Sequence, residues 1–194
     1  MSGILALSCR HELLLPQSII DLISNEKYVR SRCRLMNPLT QGWTCRAHIV
    51  DFAVVSGTQP YIPLKLLKQY YDVSCQYLVR LPLRLRRMAA HLPLLESIST
   101  VDLPTIHGAI PAFHQYAHRE QCQVFQSPNC LPGSARYDGE TNERKWGQTN
   151  PAALRAKEMV SGGRHDFLND LISDLNVRIV HTICELRSGL CQSC

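Results

Sequence analysis

Short apolar runs separated by polar breaks dominate the first part of the chain. Gly3 to Pro16 alternates apolar runs with a polar break at Cys9 to Glu12, which predicts two strands joined by a tight connection. Gln17 to Leu22 predicts a third strand, and Glu26 to Met36 has the apolar spacing and the preceding capping residue of a helix. Residues 1–41 are therefore predicted to form strands and one helix.

Residues 42–69 hold no period of two or of 3.6. Two prolines, two glycines, a tryptophan and a cysteine lie among scattered apolar positions, and two lysines and a glutamine lie near the end of the segment. We predict an irregular insertion here. Because long structureless loops are uncommon inside compact domains, such a segment needs an explanation.

Strands and helices alternate again over residues 70–176. The segment from Tyr70 to Tyr77 resembles the end of a strand with Asp72 near its tip, and Ile106 to Ala112 predicts another strand. Helical spacing is predicted over 77–95, 113–124, 138–148 with Asp138 as N-cap, 150–159 and 165–186. The mixture predicts the α/β (α+β) class, with a mixed sheet flanked by helices and a helical C-terminal part.

Composition indicates a folded protein inside the cell. Apolar residues make up 45% of the 194 residues, and no run of about 18 apolar residues predicts a transmembrane helix. The apolar stretch Met1 to Leu7 lacks the basic start of a secretory signal. Nine cysteines without regular spacing suggest free thiols in a reducing compartment, and the terminal pair Cys191 and Cys194 is weak support for zinc.

The chain is mildly basic, with a net charge of +5, and its arginines are clustered. Arg80, Arg84, Arg86 and Arg87 lie within eight positions on a predicted helix. A phosphate-binding face for DNA and an ordinary solvated helix face explain this cluster equally well.

Acidic residues provide the first candidate for chemistry. Asp72 ends a predicted strand, whereas Asp138, Glu140 and Glu143 lie on or before a helix. Nucleases that use two metal ions need carboxylates converging from separate elements in this way. The simpler explanation is a set of solvated surface acids, with those at the helix start favoured by the helix dipole.

Two further side chains follow in the same predicted helix. Glu143 and Trp146 share a face, and Arg144 could pair with an acid or contact a phosphate.

His114, His118 and Cys122 are spaced by four, so a continuous helix would place all three on one face as zinc ligands. Cys75 or His107 could add a fourth ligand, and a packed helix face with satisfied histidines is the favoured alternative.

A series of short motifs in a fixed order carries a family resemblance. The motifs are Cys9-Arg10-His11, Ile20-Asp21-Leu22, Glu26-Lys27-Tyr28, Tyr71-Asp72-Val73-Ser74-Cys75-Gln76-Tyr77, Pro111-Ala112-Phe113-His114, Ala117-His118-Arg119-Glu120-Gln121-Cys122-Gln123, Gly133 to Glu140, Glu143-Arg144-Lys145-Trp146, Asn150-Pro151 and Lys157-Glu158-Met159. Together they resemble the Kyakuja–Dileera–Zisupton (KDZ) transposases, which are abundant in mushroom-forming fungi. The resemblance extends from about Gly3 to Asn176 and corresponds to a partial catalytic domain.

The resemblance implies a ribonuclease H-like fold with an Asp-Asp-Glu triad. Asp72 matches the family's second aspartate and Glu140 its glutamate, with Asp138, Glu143, Arg144 and Trp146 around them in supporting positions. The family would use the triad with Mg²⁺ to cut and rejoin DNA at element ends, in the nucleus.

Several departures from the family pattern shape the expectation. The family's first aspartate lies well upstream of the match to Cys9-Arg10-His11, and this chain begins eight residues before that match, so we expect the aspartate and its strand to be absent. Asp21 matches a different family position. Residues 42–69 replace a more regular connection, as a retained intron or a decayed segment would, and residues 177–194 match nothing.

The leading hypothesis is a truncated KDZ transposase fragment that is inactive alone. One alternative is a DNA-binding or oligomerising module without catalysis, which the +5 charge and the arginines support. Another is a structural protein stabilised by zinc, and a further one is a chain that forms no stable fold. The sequence leaves the oligomeric state and the target DNA open and predicts no membrane partner.

Overall fold

The computed structural model describes residues 3–15, 18–22, 44–58, 61, 64–89, 104–135 and 137–191. These contain strands β1 (Gly3–Leu5), β2 (Ile20–Leu22), β3 (Leu66–Tyr70) and β4 (Thr105–Ala109). The helices are α1 (Thr44–Thr58), α2 (Ser74–Tyr77), α3 (Leu81–Ala89), α4 (Glu120–Phe125), α5 (Thr141–Glu158) and α6 (Ser161–Cys191), with 3₁₀ turns at Leu78–Arg80 and Ala112–Ala117. The helix predicted over Glu26 to Met36 lies outside the described residues.

The N-terminal strands form a hairpin. β1 pairs with β2 in antiparallel fashion, and between them Ser8 bridges Leu14. The turn closes where the Cys9 N–H donates to the Leu13 carbonyl at 2.9 Å, and Glu12 adopts a φ of 69°. The predicted strands are confirmed at Gly3–Leu5 and Ile20–Leu22, whereas in the described residues just after the tight Cys9 to Glu12 connection only Leu14 pairs, in a single bridge.

The second sheet is a parallel pair. All five residues of β3 pair in register with β4, from Leu66 opposite Thr105 to Tyr70 opposite Ala109. β3 forms although its sequence contains Lys68 and Gln69, and the Gln69 side chain is buried. Backbone pairing, rather than an apolar run, therefore defines this strand.

Most of the described part of 42–69 is regular, and there the prediction of an irregular segment is wrong. Thr44–Thr58 is a helix of 15 residues, and Leu66 to Gln69 belong to β3. Whether the segment is an insertion relative to the family stays a prediction. Helix α1 packs on α3, where Val50 and Val54 form a core with Tyr77 and Leu81.

The C-terminal part is helical, as predicted, with different boundaries. The helices predicted over 138–148 and 150–159 are one helix, α5, with Pro151 inside it, and α6 begins at Ser161 instead of His165. Helix α6 packs against the hairpin, since Ile172 joins Ala6 and Leu14 in a second core.

One side chain also bonds this helix to the hairpin backbone. The Asn176 amide accepts a hydrogen bond from the Leu14 N–H and donates one to the Leu14 carbonyl, both at 2.9 Å. The hairpin and α6 are therefore joined by apolar contact and by two hydrogen bonds between the Asn176 side chain and the Leu14 backbone.

The α/β class is confirmed, with helices predominating over a small sheet. In the described ranges the strands form two separate pairs and not one mixed sheet. A cavity of about 860 Å³ lies between these pairs, lined by Leu7 and Leu14 on one side and by Leu67 and Gln69 on the other. The ribonuclease H-like fold stays a prediction. None of the described helices is long and apolar enough to cross a membrane.

Candidate functional site

The carboxyl ends of β3 and β4 lie side by side because the strands are parallel. The Tyr71 N–H extends the pairing by donating to the Ala109 carbonyl at 3.0 Å. Asp72 follows immediately, is exposed, and accepts a hydrogen bond from the Val73 N–H at 2.9 Å. Asp72 therefore lies at the edge of the sheet where strand ends and connecting loops meet.

Glu140 reaches the same edge from the turn before α5. The Ala112 N–H donates to the Asp138 carbonyl at 2.8 Å, and the Phe113 N–H donates to Glu140 Oε1 at 2.7 Å. Both donors belong to the segment that follows β4. The turn carrying Glu140 is thus fixed to the end of β4, beside the end of β3.

Gly139 gives this turn its shape. Its φ is +81°, in the left-handed region that disfavours side chains, and a Cβ atom there would lie 2.6 Å from Tyr70 Cδ1. The turn therefore packs directly on the last residue of β3. Glycine is required at this position by both conformation and space.

Glu140 has two neighbours that could share a metal ion with it. Ligand atoms of His114, Glu140 and Glu143 all lie within 4.8 Å of one another, and His114 Nε2 is 3.4 Å from Glu143 Oε1. Among the described residues, Asp72 belongs to no such group of three. The catalytic roles assigned to Asp72 and Glu140, and the supporting role of Glu143, stay predictions.

Asp138 is occupied by protein contacts. Its Oδ1 accepts from the Glu140 N–H at 3.0 Å and its Oδ2 from Arg144 Nη1 at 2.9 Å. Partial burial opposes the charge, but the Glu140 N–H and the Arg144 guanidinium outweigh it and lower the pKa of Asp138. Asp138 is not the N-cap of α5, which begins at Thr141. Its contacts shape the turn that presents Glu140.

Glu12 is a residue whose importance the sequence did not reveal. Arg144 Nε lies 3.0 Å from Glu12 Oε1, and Lys145 Nζ lies 3.1 Å from Glu12 Oε2. Lys145 is only 1% exposed, so Glu12 supplies the charge that a buried ammonium needs. Burial opposes ionisation of Glu12, but Lys145 and Arg144 lower its pKa.

The motifs at residues 9–12 and 143–146 are therefore in contact. Trp146 continues that contact by packing against the core formed by Ala6, Leu14 and Ile172. In the structure Arg144 binds carboxylates, and Trp146 joins a hydrophobic core. Both residues attach the start of α5 to the hairpin.

The predicted zinc cluster is corrected by the structure. Residues 112–117 form a 3₁₀ turn, and His118 is extended (φ −102°, ψ 163°), so His114, His118 and Cys122 do not share one helical face. His114 turns towards Glu143. Ligand atoms of Cys75, His118 and Cys122 instead lie within 4.8 Å of one another, and Cys75 Sγ is 3.5 Å from His118 Nδ1. Burial and the neighbouring Cys122 raise the pKa of the Cys75 thiol.

The arginine cluster is divided between surface and core. Arg84 is 6% exposed, and its Nε lies 2.7 Å from Asp51 Oδ2. Its guanidinium also donates to the Tyr77 carbonyl and lies 4.7 Å from the centre of the Tyr77 ring. Assigning Arg84 to a DNA-binding face is therefore wrong.

The other three arginines of the cluster differ from Arg84. Arg80 and Arg86 are exposed and keep that assignment as a prediction. The Arg87 side chain lies outside the described residues, as does Cys194 of the terminal cysteine pair.

Comparison with known proteins assigns the family. Neither the curated proteins nor the solved structures contain a significant match to the chain. The family model of the Kyakuja-Dileera-Zisupton transposase matches residues 1–176, which is most of the 194 residues. The matched range contains both the acidic edge and the Cys75, His118 and Cys122 cluster. The chain therefore belongs to the Kyakuja–Dileera–Zisupton transposase family.

Proposed function

We propose that the chain is a transposase-derived DNA-processing domain whose acidic edge, Asp72 with Glu140, binds Mg²⁺. The observation that carries this proposal is the hydrogen bond from the Phe113 N–H to Glu140 Oε1, which fixes the glutamate to the end of β4. Because β4 is parallel to β3, the same edge presents Asp72. Family membership adds the expectation of metal-dependent DNA chemistry.

The donors at this edge suit a hard cation. Carboxylate oxygens are the ligands that Mg²⁺ prefers, and one oxygen of Glu140 stays available beside the Phe113 contact. Asp72 and Glu140 would hold the ion, with Glu143 nearby as a further carboxylate. Mg²⁺ bound there would assist attack on a phosphodiester and stabilise the leaving oxygen.

Exposed rings beside Glu140 support DNA as the substrate. Phe113 is 67% and Tyr116 is 72% exposed, with ring centres 5.9 Å apart. Aromatic rings at a surface can stack on unpaired bases, and exposed Arg80 and Arg86 can neutralise phosphates. Such a role would be exercised in the nucleus.

We further propose that the chain alone cleaves DNA poorly. The family resemblance implies a triad of three carboxylates and matches two of them to this chain, Asp72 and Glu140. Asp138 is unsuited to replace the third because both its oxygens accept protein hydrogen bonds. Loss of one carboxylate from a two-metal site removes orders of magnitude in rate.

Mn²⁺ binding tests the acidic edge directly. Electron paramagnetic resonance titration of the purified chain with Mn²⁺ should show binding that Asp72→Asn and Glu140→Gln each weaken by about tenfold or more, since each removes an anionic ligand. Glu158→Gln, an exposed acid at the far end of α5, is the matched control and should leave binding unchanged. Binding that neither edge variant alters would contradict the proposal.

DNA binding without catalysis is the second candidate, which the exposed rings and arginines favour. The Phe113→Ala and Tyr116→Ala variants should lower affinity for single-stranded DNA in fluorescence anisotropy by about fivefold or more each. Phe52→Ala, at an exposed phenylalanine of α1, is the control.

Strand cleavage in Mg²⁺ or Mn²⁺ that Glu140→Gln abolishes would refute poor cleavage by the chain alone, and salt-independent binding would refute the phosphate contacts.

A further inference from the structure

We propose that Cys75, His118 and Cys122 bind one zinc ion, which joins the segment after β3 to the segment after β4. Cys75 lies in α2, three positions after Asp72, and Cys122 lies in α4. His118 lies in the break between the 3₁₀ turn and α4. The three residues thus come from two separate parts of the chain that meet below the acidic edge.

The spacing of the ligand atoms matches tetrahedral zinc. With Zn–S near 2.3 Å and Zn–N near 2.1 Å, tetrahedral ligands place sulfur and nitrogen about 3.6 Å apart and two sulfurs about 3.8 Å apart. Cys75 Sγ and His118 Nδ1 are 3.5 Å apart, and no pair in the group exceeds 4.8 Å. Small side-chain rotations would therefore complete the site without movement of the backbone.

The donor set selects zinc over the ion proposed for the acidic edge. Two sulfurs and one imidazole nitrogen are soft or borderline ligands, and the group contains no carboxylate. All three side chains are half-buried, so a water molecule can take the fourth position. On binding, each thiol releases its proton to solvent and bonds to the metal as a thiolate.

Local hydrogen bonds hold the chelating pair of His118 and Cys122 in place. The Cys122 N–H donates to the Arg119 carbonyl at 2.8 Å, and Gln123 Nε2 donates to the His118 carbonyl at 2.7 Å. The three-residue gap within this pair matches the spacing of chelating pairs in zinc proteins. The fold therefore already orders the backbone at His118 and Cys122, which reduces the conformational entropy lost when zinc binds.

The bound zinc would stabilise the acidic edge without belonging to it. Cys75 follows Asp72 closely, and His118 follows the 3₁₀ turn Ala112–Ala117, which contains Phe113, the donor to Glu140. A bond through the metal would hold these two segments at a fixed separation. The zinc site itself does not depend on the proposed DNA chemistry and is measured separately from it.

Metal analysis of the purified chain provides the first test. We expect about one zinc per chain, reduced to near zero in Cys75→Ser, His118→Ala and Cys122→Ser. Cys130→Ser removes an exposed free cysteine, and His114→Ala removes the histidine that contacts Glu143, so both controls should keep zinc. A chain without stoichiometric zinc, or zinc that survives all three ligand variants, overturns the proposal.

Cobalt substitution provides a second test, made first on the unaltered chain. Co²⁺ exchanged into the full chain should give a thiolate charge-transfer band and the intense visible bands of tetrahedral coordination. Cys122→His keeps a zinc-binding side chain and should retain metal where Cys122→Ser loses it. Octahedral cobalt without thiolate bands would refute the site.

Discussion

Gly139 is the residue whose backbone most directly determines where Glu140 lies. Its φ of +81° and the 2.6 Å separation between an added Cβ and Tyr70 Cδ1 leave no room for alanine. We expect Gly139→Ala to lower the free energy of unfolding by about 1–3 kcal/mol and to weaken Mn²⁺ binding, because the turn must move away from β3. Urea unfolding and the Mn²⁺ titration measure the two effects.

Gly147 offers the matched control on the same element. It lies within α5 with nothing within 4 Å of an added Cβ. Gly147→Ala should therefore raise the free energy of unfolding by about 0.5–1 kcal/mol, since alanine loses less conformational freedom in a helix. If both variants shifted stability alike, the close packing of Gly139 on Tyr70 would not be the cause.

The buried pair of Asp51 and Arg84 sets a second expectation. Asp51 is 0% and Arg84 is 6% exposed, so Asp51→Asn leaves a guanidinium in the core without its counter-charge. We expect a loss of about 3–5 kcal/mol in the free energy of unfolding. The exposed pair of Asp174 and Arg178 is the control, where Asp174→Asn should cost less than about 1 kcal/mol.

A double variant separates charge from packing. Replacing Asp51 by leucine and Arg84 by methionine removes both charges together, so the double variant should recover most of the stability lost in Asp51→Asn. If the double variant were as unstable as the single one, shape and not charge balance would control this part of the core.

At the scale of elements, we expect the contact between the hairpin and α5 to depend on pH. The pKa values of Glu12 and Asp138 lie below their usual values of 4.5 and 3.8. A lowered pKa means that the stabilisation is complete above those usual values and is lost as the pH falls through the folded-state values. Unfolding midpoints should therefore drop steeply below about pH 4.5.

The Glu12→Gln variant tests this linkage. It should be less stable than the parent at pH 7, because Lys145 stays buried without its carboxylate, and should lose less stability between pH 5 and pH 3. Glu158→Gln should follow the parent at every pH. Parallel curves for Glu12→Gln and the parent would contradict a lowered pKa at Glu12.

The sequence predicted some elements well and others poorly, for physical reasons. β4 and α6 have clear periods and were found. Helix α1 was missed because its buried face includes the polar residues Asp51 and Thr58 while its exposed side carries Phe52, so the apolar residues form no clear stripe. The prediction that His114, His118 and Cys122 share one helical face was wrong because the helix is interrupted at His118. Spacing by four does not reveal this interruption, which turns His114 away from Cys122.

The candidate site residues likewise fall into those that the sequence identified and those that it did not. Asp72 and Glu140 were placed by resemblance, and the structure brings the segments that carry them to one edge of the β3–β4 pair. Glu12 owes its importance to contacts with residues far along the chain, which no local pattern reveals, and Cys75, which the sequence offered only as an optional fourth ligand, contacts His118 directly. Arg84 could not be distinguished from its exposed neighbours, because its partner Asp51 lies 33 positions away.

At the scale of the whole molecule, α6 is the longest element, and its contacts with the rest of the protein are unevenly distributed along its length. Its 31 residues span about 46 Å. Leu168 and Ile172 are buried and Asn176 bonds to Leu14, whereas Cys184, Glu185 and Leu186 are exposed. The family match ends at residue 176, inside this helix.

This uneven support should appear in hydrogen exchange. Amides in residues 165–176 should exchange only on global unfolding, and those after 184 should exchange orders of magnitude faster through fraying of the helix end. Asn176→Ala should move the boundary towards Ile172, while Asn169→Ala, at an exposed position on the same helix, should leave it in place. Uniform protection along the helix would contradict this. A protease would accordingly shorten the helix from its C-terminal end and stop where the hairpin begins to shield it, so the contact with Leu14 would mark the boundary of the protease-resistant body.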